Sequence, residues 1–506
     1  MTGPSSADGV DAPSPFVRAS RIGVWAVAAV SVGAMVTFLA VAAGRVGYPY
    51  ELQWFEGSTV EVSARVTEGL PLYGPPTTEF TPWPYPPLYF WVTGELAKVT
   101  GVSLTTLRLV SLAATVVAAL FIILIVRRVT ASALAATVSA GLFVATYQVS
   151  GNWFDAARID SLFLALSLGA IFAGLRSRTW RGGLAVGAMF LAAFLTKQNA
   201  LLIAGPVMLW LLLRRRPVGL VASAVLAAGS LGSVVVGDLL TDGWYSPYVV
   251  TQLLGQGVAL QWVLGFWVAD VILPFAVVLG TLGWWTVHHR GWLRLDDCRV
   301  YLLAAVAGLM LASWAGRLHD GGYVNNAIPA HAGTAMLVGL AAAAVLRSAP
   351  SRRLLVCAAA AIAVQTIAMS LWHGSPLPTA EDRAAGDSFI SVVRALPQRT
   401  VLATHPYYLR LAGRPTHAST IAIGDLLDTR PGRARDAIST QLPWSLDGVD
   451  SVILDSAEGA ALFGGALARD FTLVTTHVVP GQAFYPVTDV ATRPALLYVR
   501  STVLNR

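Results

Sequence analysis

Long apolar runs without charges, separated by short polar segments, dominate the first three quarters of the chain. The first run, Ile22 to Ala43, has 22 residues and no charge. As a helix at ~1.5 Å per residue it measures about 33 Å, which suits a hydrocarbon layer of ~30 Å. Similar runs follow at about 104–126, 131–150, 160–175, 182–196, 199–213, 217–237, 263–287, 300–316, 328–346 and 354–372. The pattern predicts eleven spans, the shortest of them paired or tilted. Beyond residue 372 the runs shorten to TVLAT, SVILD and LLYVR, alternating with helical patterns. These predict a soluble α/β domain over 373–506. The small, polar, Pro-rich start predicts a disordered tail over 1–20 with no cleavable signal. Between tail and soluble domain lies a transmembrane domain over 21–372, with its longest loop at 44–103.

Composition narrows the class. The 506 residues are 55% hydrophobic and 12% charged, against roughly 45–50% apolar and about 25% charged in ordinary soluble chains. A mean hydropathy of +0.62 over that length excludes a water-soluble enzyme and indicates an α-helical polytopic membrane protein. The net charge of +7 comes from Arg clusters between apolar runs. That arrangement fits cytoplasmic loops, so no nucleic-acid partner is expected. With the tail inside, sixteen basic residues fall on the cytoplasmic side and seven outside, as the positive-inside rule requires. An odd number of spans then puts the C-terminal domain outside the cytoplasmic membrane. Cys298 and Cys357 are the only cysteines, too few for a disulfide framework or a Cys-based metal site.

The chemistry gathers on the outer side. In the loop at 44–103, Ser58 and Glu61 have the spacing of a capping box, and Gly69 with Pro71 ends the pattern. A short helix from Thr59 to Glu68 is predicted. Glu56, just before it, is a candidate base for an incoming hydroxyl, or else a solvated acid favoured by the helix dipole. Pro86 and Pro87 then start an interfacial helix, with Tyr85, Tyr89, Phe90 and Trp91 as membrane-surface aromatics. In the next outer segment, NWFDAARID, Asp155 and Arg158 either pair with each other or contact substrate, and Asp160 either caps the following span or does the same. Lys197 in FLTKQNA and Arg317 in GRLHDGGYVNNAIPAH are outer cations suited to a lipid phosphate. The latter loop also carries His319, Asp320 and Tyr323. Asp270 is the one acid inside an apolar span, with a structural role expected.

Three acids and three cations on one side of a helical bundle suit transfer from a polyprenyl-phosphate sugar. One carboxylate deprotonates the acceptor while cations stabilise the departing phosphate. The competing class is a transporter or flippase of lipid-linked sugars, which would place charged or broken-helix sites near mid-membrane.

The segments WFEG, EGLPLYG, YPPLYFW, DAARID and LTKQNAL, in that order across residues 45–335, resemble the membrane-embedded GT-C glycosyltransferases. The closest pattern is that of bacterial members related to protein O-mannosyltransferases and aminoarabinose transferases. The resemblance implies an inverting enzyme of the cell envelope, working on the outer face with a polyprenyl-phosphate sugar donor and a glycan, lipid or protein acceptor. By the same resemblance Glu56 is the catalytic acid and Asp155 or Asp160 the acid of the second outer loop. Lys197 and Arg317, with Arg158, become donor-phosphate cations, and Tyr85, His319 and Tyr323 join the two Asp residues at the substrate. Many members carry Asp or an Asp-Glu pair where this chain has the single Glu56, and His where it has Tyr85. Some GT-C enzymes hold a divalent ion and others need none; here Mg or Mn would fall to Glu56 and Asp160.

Overall fold

A computed structural model describes residues 15–288, 295–347, 352–371 and 376–504. Most of the tail expected over 1–20 lies outside them. Each of the eleven apolar runs is helical. They form α1 (Pro15–Val46), α4 (Leu104–Thr130), α5 (Ala133–Ala145), α6 (Asp160–Arg176), α7 (Trp180–Phe194), α8 (Ala200–Arg214) and α9 (Arg216–Leu240). A bent pair follows, α10 (Trp262–Ile272) and α11 (Ala276–Trp285), then α12 (Asp297–Leu318), α13 (Ile328–Arg347) and α14 (Arg352–Ser370). Among the described residues six helices are long and apolar enough to cross a membrane singly, seven with the bent pair taken as one. Leu231, Leu239 and Leu240 on α9 and Leu209 and Leu213 on α8 point outward, as lipid-facing side chains do.

The run at 263–287 is not the straight span that its hydropathy predicts. Its two halves meet at 85°. Pro274 sits at the break, lacking an N–H and clashing with the preceding turn. The freed backbone is satisfied from α14, where the Gln365 amide donates to the Pro274 carbonyl at 2.6 Å and its oxygen accepts from Val277 N at 3.0 Å. Such repair is what a low-dielectric surrounding demands.

The long outer loop carries two helices, α2 (Glu56–Thr67) and α3 (Leu88–Thr100). α2 begins three residues before the predicted Thr59. Ser58 does not cap it: its hydroxyl is buried without a partner among the described residues, and Glu61 turns instead to Arg410. α3 follows Pro87 as expected and exposes Trp91, Val92, Leu96 and Val99. At Gly94 a Cβ would come within 2.5 Å of the Val66 side chain and 2.8 Å of the Ser63 carbonyl, so only glycine lets α2 and α3 cross this closely.

The C-terminal region opens with α15 (Ala380–Ala395) and builds one sheet in the order β1–β2–β4–β3, from β1 (Thr400–Leu402), β2 (Ser451–Leu454), β3 (Phe471–Thr475) and β4 (Leu496–Arg500). β1 and β2 run parallel; β4 is antiparallel to both β2 and β3. Three of these strands are the runs seen in the sequence. Two further helices, α16 (Tyr407–Leu411) and α17 (Thr420–Leu427), come from stretches too short to show a period.

This region grips the outer loop. Arg410 on α16 makes a two-pronged contact with Glu61 on α2 at 2.8 and 2.8 Å and reaches Glu68, just past its end, at 2.9 Å. Asp489 accepts from Gln53 at 3.1 Å and from Trp54 at 3.0 Å. His405, buried before α16, bridges Glu51 of the loop and Asp455 after β2, the latter at 3.0 Å. Burial opposes a proton on His405, but the two carboxylates outweigh it and raise its pKa to about 10.

Candidate active site

A cavity of about 560 Å³ opens between the outer ends of the helices and the C-terminal domain. Trp54, Phe55 and Trp83 from the long loop form one wall, and Tyr85, Trp153, Arg158, Lys197, Gln198, His319 and Tyr323 the membrane side. The opposite wall belongs to the C-terminal domain and includes Thr404, Ile421, Asp425, Asp428, Asp455 and Thr492. Of the sequence candidates, five meet here: Arg158, Lys197, Tyr85, His319 and Tyr323.

Arg158 is 5% exposed and faces an aromatic cage. Its guanidinium carbon lies 4.9 Å from the Phe55 ring centre, 5.2 Å from Trp153 and 5.9 Å from Tyr85. Among the described residues no carboxylate pairs with it, and its buried Nε has no hydrogen-bond partner; one long contact of 3.5 Å joins it to the Tyr85 hydroxyl. A buried cation is costly unless neutralised, and the carboxylates that act on this one, Asp160, Asp425 and Asp489, do so without a direct contact. Lys197, in the turn between α7 and α8, donates to Asp160 at 2.7 Å and to Asn326 at 3.0 Å while still lining the cavity. Asp160 is thus the partner of Lys197, steadied by Asn325 at 3.1 Å.

The other candidates lie elsewhere. Glu56 is fully buried and does not line the cavity. Arg108 Nε and Nη2 donate to its two oxygens at 2.9 and 2.6 Å, and the N–H groups of Ala157 and Leu52 add one bond to each at 2.7 Å. Burial alone would raise its pKa, but Arg108 and these donors hold it below the ordinary glutamate range. The residue that faces the cavity at this point is its neighbour, Phe55. Asp155 pairs with Arg45 at 2.9 Å and accepts from Tyr147 at 2.8 Å, so it does not pair with Arg158. Arg317 pairs with Asp270 at 2.6 Å and stacks 3.5 Å over Trp262; it does not line the cavity either. Glu56 and Asp160 do not together fit a divalent ion: both oxygens of Glu56 are saturated, and Asp160, neutralised by Lys197 at Oδ1, leaves only Oδ2 without a partner. Among the described residues no group of three His, Cys, Asp or Glu is set for a metal.

A second cavity, also about 560 Å³ and mostly apolar, lies between α2, α3 and the outer end of α9, lined by Leu70, Leu72, Trp91, Leu195, Val236 and Leu240 among others. The strap at 84–88 separates it from the first. Leu88 N donates to the Leu195 carbonyl at 2.9 Å, and Gln198 donates to the Pro84 carbonyl at 2.7 Å.

Sequence reasoning missed Arg45 and Arg108, although an arginine at or within the end of an apolar span is a signal in itself. It also missed Asp425 and Asp455, which carry no local motif.

These features describe a multi-pass membrane protein in which the 44–103 loop, the turns between helices and the C-terminal domain enclose a cavity with Arg158 and Lys197 on one side and acids on the other. Residues 84–236 match the family model described as dolichyl-phosphate-mannose-protein mannosyltransferase. ArnT from Cupriavidus metallidurans bound to undecaprenyl phosphate shares the fold, with a TM-score of 0.60 at 12% identity over 94% of this chain and 98% of that one. Its apo form gives 0.56 at 13% identity, over 93% and 96%. Among curated proteins nothing matches. The family match covers residues 84–236, less than a third of the chain, and the likeness to ArnT is one of fold.

Proposed function

We propose that the chain moves a sugar from a polyprenyl-phosphate donor to an acceptor on the outer face of the cytoplasmic membrane, with inversion at the anomeric carbon. The observation that carries this reading is Arg158, a buried guanidinium without a carboxylate partner, beside Lys197 on the floor of the cavity. The donor phosphate lies between these two cations, which gain interaction energy as the phosphate takes on charge in leaving. Aromatic faces around Arg158 suit a sugar ring, and the apolar groove beyond the 84–88 strap suits the isoprenoid chain. The solved relative, ArnT, was crystallised with undecaprenyl phosphate, which supports a donor of this kind. The distribution of basic residues supports the outer location. No step is routed through a metal, because both oxygens of Glu56 are occupied and Asp160 Oδ2 alone does not make a metal site.

A transporter would use a broken helix and a charge within the bundle. Here the break at Pro274 is sealed by Gln365 and Asp270 is closed by Arg317, which leaves neither for a solute.

The test is sugar release and transfer by the purified protein in detergent, using undecaprenyl phosphate carrying mannose, arabinose or aminoarabinose and lipid or glycan acceptors. Transfer from at least one donor, abolished by Arg158→Ala, is the expected outcome. Wild-type protein inert toward all of them, or transport of intact donor across vesicles, overturns it.

A further inference from the structure

The mechanism needs a group that takes the acceptor's proton, and the acid expected in the first outer loop is closed. Glu56 has four donors on two oxygens, and the position next to it that reaches the cavity is Phe55, which cannot accept a proton. Asp155 and Asp160 are engaged by Arg45 and Lys197. Asp455, on the opposite wall, is taken by His405 and by Thr492 at 2.6 Å.

We propose that Asp425, carried by α17 of the C-terminal domain, is the base that deprotonates the acceptor hydroxyl. The inference rests on the transferase reading above. Asp425 lines the same cavity as Arg158 and Lys197 but from the opposite wall, so an acceptor between them has the donor phosphate on one side and this carboxylate on the other. Among the described residues no hydrogen bond or ion pair occupies it, and it is half-buried rather than free in water. α17 is anchored by Ile421, Ile423 and Leu426 in the domain core and capped by Ser419, which accepts from Ile421 N at 3.3 Å. That anchoring holds the carboxylate in place.

The step balances within the site. The hydroxyl proton passes to Asp425 as the acceptor oxygen bonds to the anomeric carbon. The bond from that carbon to the phosphate oxygen breaks, and its electron pair leaves with the phosphate toward Arg158 and Lys197. Asp425 then returns the proton to water through the open cavity.

Burial raises the Asp425 pKa to about 7, with Arg158 opposing and Asp428 reinforcing the rise. The groups around it are Arg158, Lys197 and Tyr85 on the floor, His319, Asp320 and Tyr323 from the loop after α12, and, from its own domain, Asp455 and Asp428, the residue that follows α17. A base of this strength is well matched to neutral pH.

The experiment compares wild type, Asp425→Asn and Asp425→Glu with whichever undecaprenyl-phosphate sugar the wild type uses, following kcat/KM from pH 5 to 9 together with undecaprenyl phosphate affinity and thermal midpoint. The wild-type rate is expected to rise through a step near pH 7. Asp425→Asn should lose about 10²- to 10⁴-fold and lose the step, while lipid affinity and thermal midpoint stay unchanged; Asp425→Glu should recover part of the rate. An Asp425→Asn protein that transfers near the wild-type rate, or retains the pH step, overturns the assignment while leaving the transferase reading intact. A rate loss that tracks weaker lipid binding or lower stability also overturns it. Wild-type protein that transfers no sugar removes both readings together.

Discussion

Glu56 and Arg108, 52 residues apart in sequence, meet in a two-pronged ion pair with no exposed side-chain surface. Arg108 Nη2 also donates to the Tyr50 carbonyl at 2.6 Å, so one guanidinium fixes the loop that leads into α2. Removing one member strands the other charge in a dry site, a loss of about 3–5 kcal/mol. Glu56→Gln and Arg108→Ala are therefore expected to lower the thermal midpoint sharply, and Arg108→Lys to rescue poorly because it lacks the forked geometry. Glu56→Gln with wild-type stability and a selective loss of turnover would return Glu56 to catalysis.

Arg158 and Arg317 are expected to behave oppositely. Arg158→Ala removes a cation that has no carboxylate partner among the described residues, so the fold should hold while affinity for undecaprenyl phosphate falls by about 1.5–3 kcal/mol, the range for a hydrogen bond to a charged group. Arg317→Ala leaves Asp270 buried and alone, and its first effect should be on the thermal midpoint. Lipid titration and thermal unfolding of both proteins decide the matter. Equal loss of lipid affinity with intact stability would place Arg317 at the phosphate as well.

The clamp between the two domains predicts a pH dependence. His405 has a folded-state pKa raised to about 10, above its ordinary value near 6.5. Its contribution is complete below about pH 6.5 and is lost as the pH rises toward 10. Thermal midpoints of the wild type should therefore fall across pH 7–10. His405→Gln should flatten that decline and lower stability at pH 6, where the wild type has the whole contribution. A wild-type midpoint constant from pH 6 to 10 would rule out a charged His405.

At the helix break, Gln365→Leu leaves the Pro274 carbonyl and the Val277 N–H without partners. A buried unsatisfied polar group costs about 1–3 kcal/mol. The expected result is lower stability with unchanged lipid affinity, since neither Pro274 nor Gln365 lines the cavity; weakened lipid binding at intact stability would tie the break to the site.

Helical segments were legible in the sequence because fitting a helix to a hydrocarbon layer depends on local length and polarity. The one misread segment, 263–287, has its cause in the sequence too, at Pro274, but whether a proline kinks or breaks a helix depends on the group that repairs the freed backbone. That group, Gln365, sits on another helix. The start of α2 was misplaced for a related reason: Ser58 and Glu61 have capping spacing, yet Arg410 from the C-terminal domain claims Glu61.

The sequence by itself determined the membrane class, the helical segments, the strands of the C-terminal domain and the presence of acids and cations in the outer segments, since each of these follows from composition and period within a short window. Only the tertiary structure decided which of those charges remain free. Ionised groups are neutralised by whatever charge the fold brings within hydrogen-bond reach, and for Glu56, Asp155, Asp160 and Arg317 that partner comes from a distant segment. The same pairing leaves Arg158 without a carboxylate partner among the described residues, and the packing of a separate domain sets Asp425 in the same cavity.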